Sequence, residues 1–340
     1  PPPPPPPPPP TFQAEDGIRD DISCLVGSEM CIRDRAYGNM SIISGLVPLE
    51  RVAETYVRLA LETAQAVDDL PAQAWAYVTA SVYTVGRGQW DRSLELIAQA
   101  VDLCRRTADK RTLGLTLGSY SLIPYHRGRF EDAIAVNAEW AENAQRINNL
   151  QHHIFGLTGQ AECLLRLGQL AEAEDRLREC DALWTGREAE TVDDAARFRQ
   201  LGVWALLHLR QGQADQARET AQEAMKHIGD VASASQAIMG DGVADIAEVF
   251  LTLWAADRQL LTEQERKATA EICRVLGNYA RPFIILQPRA LLWHGEYARL
   301  RGKPRAAKRK WSKGLTIAQA YNMQFDQACL RSRLDQEMAD

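Results

Sequence analysis

Residues 159–180, GQAECLLRLGQLAEAEDRLREC, decide the fold. An apolar helix runs into Leu167, stops at Gly168 and restarts at Leu170, with Ala173, Leu177 and Cys180 on one face. The two apolar faces of such a helical hairpin cannot cover each other alone, so the unit needs neighbours. The same punctuation recurs as Gly88-Gln89-Trp90, Gly128-Arg129-Phe130, Gly212-Gln213-Ala214 and Gly302-Lys303-Pro304. The intervals are 40, 40, 44 and 90 residues, the last being twice 45. A fixed period of this size marks a repeat array. The expected fold is all-α, a right-handed α-solenoid of about seven helix-turn-helix repeats, whose work is binding through a stacked helical surface.

Composition narrows the function classes. With 46% hydrophobic and 25% charged residues the chain has ordinary globular values, and a solenoid grows by adding repeats, so 340 residues need not mean two domains. A net charge of −6 is too mild to imply nucleic acid by itself. No apolar run of about 18 residues suggests a membrane span, and no basic segment followed by an apolar one suggests a secretion signal. Seven cysteines, odd in number, far apart and without C-x-x-C spacing, fit buried thiols in a reduced, cytoplasmic compartment.

In chain order, Pro1–Pro10 is a homopolymer, polyproline II or disordered. The next stretch, AEDGIRD followed by LVGSEMCIRDR, fits neither a helical nor a strand period. Residues 12–35 resemble translated sequencing-adapter read-through at the ends of metagenomic reading frames. That resemblance implies native sequence from about Ala36 and a missing native N-terminus. Residues 36–340 then form one helical repeat domain. Its repeats are expected near 36–68, 71–108, 110–148, 150–185, 190–228, 231–280 and 284–322, with a capping helix over 325–338. In the sixth repeat Gly240-Asp241-Gly242 is expected to interrupt the first helix, and Thr262 with Glu265 to form a capping box on the second. Along the first complete helix Leu49, Val52, Ala53, Tyr56, Leu59, Ala60 and Ala64 share a side.

Five residues after each turn glycine stand Ser93, Ala133, Ala173, Ala217 and Ala307, small side chains that let two helices approach closely. The pattern resembles tetratricopeptide repeats, with a longer period than that family's usual one. A narrower likeness rests on VADIAEVFLTLW at 243–254, QPRALLWHGEYARLRGKPRAA at 287–307, and Trp311 and Ala318. This region resembles the C-terminal repeat tail of bacterial class III adenylate/guanylate cyclase–AAA ATPase fusion proteins. The resemblance implies a regulatory, partner-binding tail. Neither a cyclase nor an ATPase domain stands in this sequence, so no active-site residue carries over. Transcriptional regulators with ATPase and repeat domains carry similar tails, and a nucleic-acid-binding solenoid is a third reading.

The chemistry of an enzyme is not legible. Gly302-Lys303-Pro304 lacks the glycine spacing and hydroxyl of a phosphate loop. His152 and His153 are adjacent, so on a helix they point about 100° apart and cannot chelate one metal together. Asp68-Asp69 and Asp193-Asp194 suit helix N-termini. Trp140, Trp204, Trp293 and Trp311 fall at packing positions. The expectation is a non-catalytic protein–protein interaction scaffold with no cofactor and no metal. Its partner is a protein or peptide in the concave groove, possible domains of its own parent chain included; neither nucleic acid nor membrane is expected. Counting back from the turn glycines nominates His126, Glu162, Arg166, Arg210, Arg289 and Glu296 as the lining of that partner-binding groove, the alternative being ordinary solvated side chains; charge reversal at Arg166 and Arg210 is expected to weaken partner binding without unfolding the chain. A second candidate surface is basic: Arg299, Arg301, Lys303, Arg305, Lys308, Arg309, Lys310 and Lys313 follow one another with no acid between them. No aromatics alternate with them, which weakens a nucleic-acid role.

Overall fold

The computed structural model describes residues 36–47, 49–66, 69–185, 192–233, 236–256 and 262–339. The proline tract, the adapter-like string and Asp68 lie outside them. Among the described residues the chain is all-α, with sixteen helices and no strand. Helix α1 covers 36–45. It is followed by α2 (Glu50–Gln65), α3 (Leu70–Gly86), α4 (Trp90–Arg106), α5 (Lys110–His126), α6 (Phe130–Arg146), α7 (Leu150–Arg166) and α8 (Leu170–Ala182). Then come α9 (Asp194–Arg210), α10 (Ala214–Met225), the short α11 (Ile228–Val231), α12 (Ala237–Ala256), α13 (Glu263–Tyr279), α14 (Gln287–Leu300), α15 (Pro304–Ala320) and α16 (Gln324–Ala339).

The period is written into the backbone of the turns. Gly168 has φ +77°, and its four counterparts lie between +70° and +77°. In each turn the glycine N–H bonds back three residues and the next N–H bonds back five, as Gly168 to Leu165 (3.2 Å) and Gln169 to Leu164 (2.9 Å). That pair of bonds satisfies carbonyls the helix end would leave open. Between hairpins Ala108 and Asn148 take the same left-handed conformation with the same pair of bonds, Asn at little cost and Ala at roughly 1–2 kcal/mol. First helices start on side-chain caps: Asp69, Asp109, Asn149 and Asp193 accept from the N–H of Ala72, Thr112, His152 and Ala195. Each such cap stabilises its helix by roughly 1 kcal/mol. The Thr262–Glu265 capping box is formed.

Ser93, Ala133, Ala173, Ala217 and Ala307 are all fully buried at the hairpin crossings. Ala173→Trp should therefore cost about 1–3 kcal/mol through overpacking. Amide hydrogen exchange should rise first in α7, α8 and α9; an even rise along the whole repeat domain would contradict a stack of locally packed hairpins.

Three expectations change. Gly240-Asp241-Gly242 does not interrupt α12, which runs unbroken from Ala237 to Ala256. The glycines are there for close approach: a Cβ on Gly240 would stand 2.1 Å from Leu286 Cδ1, and one on Gly242 3.1 Å from Arg199 Cγ. On α2 the buried face is Ala53, Val57, Ala60 and Ala64, while Leu49 and Val52 stay exposed because they face the uncovered end of the stack. Most important, the stack closes on itself. First helices form the inner layer, α3, α5, α7, α9, α12 and α14 touching in sequence, and α16 returns to touch α5. Trp90 Nε1 donates to the Tyr321 carbonyl at 2.7 Å, and the Phe325 ring meets Phe130 edge-on at 5.3 Å.

Candidate functional site

The inner surface of the closed stack has two halves of opposite character. One is ionic. Arg289 on α14 donates to the Tyr125 hydroxyl (2.7 Å) and pairs with Asp241 (3.4 Å) and Asp326 (3.2 Å). It therefore ties α14 to α5, α12 and α16 at once. Tyr125 passes the chain on to Glu162, and Arg199 on α9 holds Glu162 at 3.0 Å and donates to the Phe155 carbonyl. Alongside, Arg166 on α7 bonds Asp245 and Glu248 of α12, and Glu248 also meets Arg210. His126 Nε2 stands 3.4 Å from Asp241 Oδ2. The half-buried Phe325 ring lies under both guanidinium groups, 5.5 Å from Arg166 and 5.7 Å from Arg289.

Five of the six residues expected to line an open groove thus stand inside this network or beside it, buried. His126, Glu162 and Glu296 are 1% exposed and Arg289 is 2%. Glu296 binds Arg299 and faces Arg333 instead of joining Arg289. Only Arg210 keeps an exposed side chain, 40% open beside Glu248. The expectation that Arg166 would tolerate charge reversal is corrected accordingly. Its side chain is 3% exposed, and an acid there would face Asp245 and Glu248 without water.

Electrostatics sort the carboxyls. Burial pushes Asp241 up, but His126 and then Arg289 more than offset it, holding its carboxyl below the usual range. Glu248 is likewise pushed up by burial and brought below its ordinary value by Arg166 and Arg210. Asp245 goes the other way: burial and the Glu162 charge push it well up. The geometry of this set is that of a fastening between inner helices. Sequence reading missed Arg199, Asp241, Asp245, Glu248 and Asp326. A signal was present: Asp241, Asp245 and Glu248 are spaced i, i+4, i+7 on an otherwise apolar helix, which puts three acids on one buried face.

The other half is apolar. Inner faces of α3, α5 and α7, Trp140 of α6, the residues Gly45 and Leu46 at the end of α1, the start of α12 and the Pro282–Phe283 turn line a partly open pocket of about 390 Å³. Trp75, Tyr83, Trp140, His152, Phe155 and Phe283 contribute its rings.

Outside the ring, α15 carries the basic surface. Ala307, Trp311, Gly314 and Ala318 face inward, and Arg305, Lys308, Arg309 and Lys313 face solvent with Arg301 and Lys303 at the preceding turn. Arg299 pairs with Glu296, whereas Arg301, Lys303, Arg305, Lys308, Arg309, Lys310 and Lys313 form no ion pair among the described residues. Elsewhere many cations pair within their own helix or with the helix two places along, as Arg58 with Glu62, Arg92 of α4 with Glu54 of α2 and Arg105 of α4 with Glu139 of α6. The difference has a simple cause: no acid occurs between Glu296 and Asp326. A further surface group, Asp194, His227 and Asp230, brings one potential ligand atom from each within 4.8 Å, with His227 already 3.7 Å from Asp194. Among the described residues no helix is long and apolar enough to cross a membrane.

No protein-family model matches the chain, and no curated protein matches it. Among solved structures the fold is similar to that of a Rap protein complexed with competence and sporulation factor. The TM-score is 0.51 at 15% identity, covering 85% of this chain and 69% of that one. At that identity the likeness shows the fold, a helical repeat solenoid.

Proposed function

We propose that the protein is a non-catalytic scaffold that binds an acidic polypeptide along the outer face of α15. The observation that carries this reading is the unpaired basic surface, seven cations on a chain of net charge −6, which leaves −13 on the remainder. The net −13 carried by the rest of the chain disfavours a long polyanion such as duplex DNA, whereas a compact acidic segment would meet the basic face alone. Solenoids commonly present such surfaces to proteins, and the similar Rap structure was solved with a bound factor. The sequence likeness at 243–254 and 287–307 supports the further reading that this is the regulatory repeat region of a larger cyclase/ATPase signalling protein, with the acidic segment on the parent chain. A transcriptional-regulator parent or nucleic-acid binding would show as a preference for DNA.

Fluorescence anisotropy with a labelled Glu-rich helical peptide and with a labelled 20-bp duplex separates these readings. The peptide should bind, more weakly as salt rises, and Lys308→Glu/Arg309→Glu/Lys313→Glu should weaken it roughly tenfold or more with an unchanged melting curve. Tighter binding of the duplex, or an unchanged peptide affinity in the triple variant, overturns the proposal.

A further inference from the structure

We infer that the inner cavity is a binding site for a small, uncharged, largely apolar molecule. This inference is independent of the basic face on α15, which lies on the other side of the hairpin layer.

Size comes first. A volume of about 390 Å³ is within the range of pockets that enclose small-molecule ligands. The walls come from α3, α5, α7, α12, the end of α1 and the Pro282–Phe283 turn, so an occupant would be surrounded by several helices rather than laid on one. No partner segment of the described chain fills it.

Charge comes next. Arg87 is the sole Lys, Arg, Asp or Glu among the lining residues, and its guanidinium is held by Glu50 at 2.7 Å. Burial, then the nearby Arg111, lowers the His152 pKa, so its imidazole is neutral at physiological pH. Burial and Glu54 push the Tyr83 hydroxyl up to about 12, so it too is neutral. A carboxylate or ammonium entering this space would lose its hydration and find no counter-ion, which disfavours it strongly.

Shape supplies the rest. Trp75, Tyr83, Trp140, Phe155 and Phe283 set aromatic rings on the walls, so a hydrocarbon chain or an aromatic ring with an uncharged head group is the chemistry that fits.

The experiment uses N-phenyl-1-naphthylamine, a neutral apolar fluorophore, on the full chain. It should bind saturably at one site per chain. Decanamide should displace it at concentrations at least about a hundredfold lower than decanoate or decylamine, because only the amide enters without desolvating a charge. Val82→Trp, a substitution on a half-buried lining residue, should fill the space and abolish saturable binding while leaving the far-UV spectrum and the melting curve in place. No saturable binding by the wild type, equal competition by decanoate, or full binding by Val82→Trp each overturns the inference. So does a neutral apolar tripeptide competing better than decanamide, which would make the occupant a polypeptide.

Discussion

Arg289→Met should lower the melting temperature by about 10 °C. The size follows from what the guanidinium holds. Its loss leaves Asp241 with His126 as its remaining partner, and leaves Asp326, 1% exposed, without the cation that ties α16 to α14. Removing one partner of a buried pair costs about 3–5 kcal/mol because the other charge stays buried. In a chain of this size each kcal/mol moves the midpoint by roughly 2–4 °C. The variant should also respond differently to acid. Asp241 and Glu248 have folded pKa values below their ordinary ones, so the stability they supply is present above about pH 4 and is lost as pH falls through those depressed values. Asp245 is raised, so its contribution has the opposite sign: present below about pH 4 and lost as pH rises through its folded value. Without Arg289 the Asp241 part of the acid limb should shrink. Differential scanning calorimetry between pH 3 and pH 8 measures both effects. A midpoint within 2 °C or so of the wild type at pH 7 would show that the ionic hub fastens nothing.

Ending the chain after Tyr321 should loosen repeats far away in sequence. This truncation removes α16, and with it Phe325 from Phe130, Asp326 from Arg289 and the fully buried Leu330. It also frees the turn whose carbonyl accepts from Trp90. Amide exchange should accelerate in α4, α5 and α6 as strongly as in α14 and α15. An open solenoid would confine the change to the last repeat, since each repeat there contacts only its neighbours. Exchange measured by mass spectrometry decides between the two, and protection of α5 unchanged from wild type would mean that the closure does not form in solution.

The two results bear on function through the inner surface. An ionic half that fastens five first helices and α16 leaves the apolar half as a partly open pocket and the outer face of α15 as the charged surface. Neither role requires the other.

The sequence by itself placed the five hairpins that turn on a glycine. The turn glycines, the small residues five positions later and the Asp or Asn caps act within a few residues of where they stand, so local spacing was enough to place them. The basic face was legible too, because an acid-free run remains acid-free however the chain folds. What only the tertiary structure decided is where the inner faces go. A period fixes the contact between one repeat and the next, but the turn at each contact must accumulate over the five hairpins from α5 to α15 before α16 can meet α5. That sum lies in no single window of sequence. It turned His126, Arg166 and Arg289 from residues expected to line a partner-binding groove into buried partners of Asp241, Asp245, Glu248 and Asp326, and Glu162 into a buried partner of Arg199. It also made Gly240 and Gly242, which alone read as a break, into the close contacts that let α12 lie against Leu286 and Arg199.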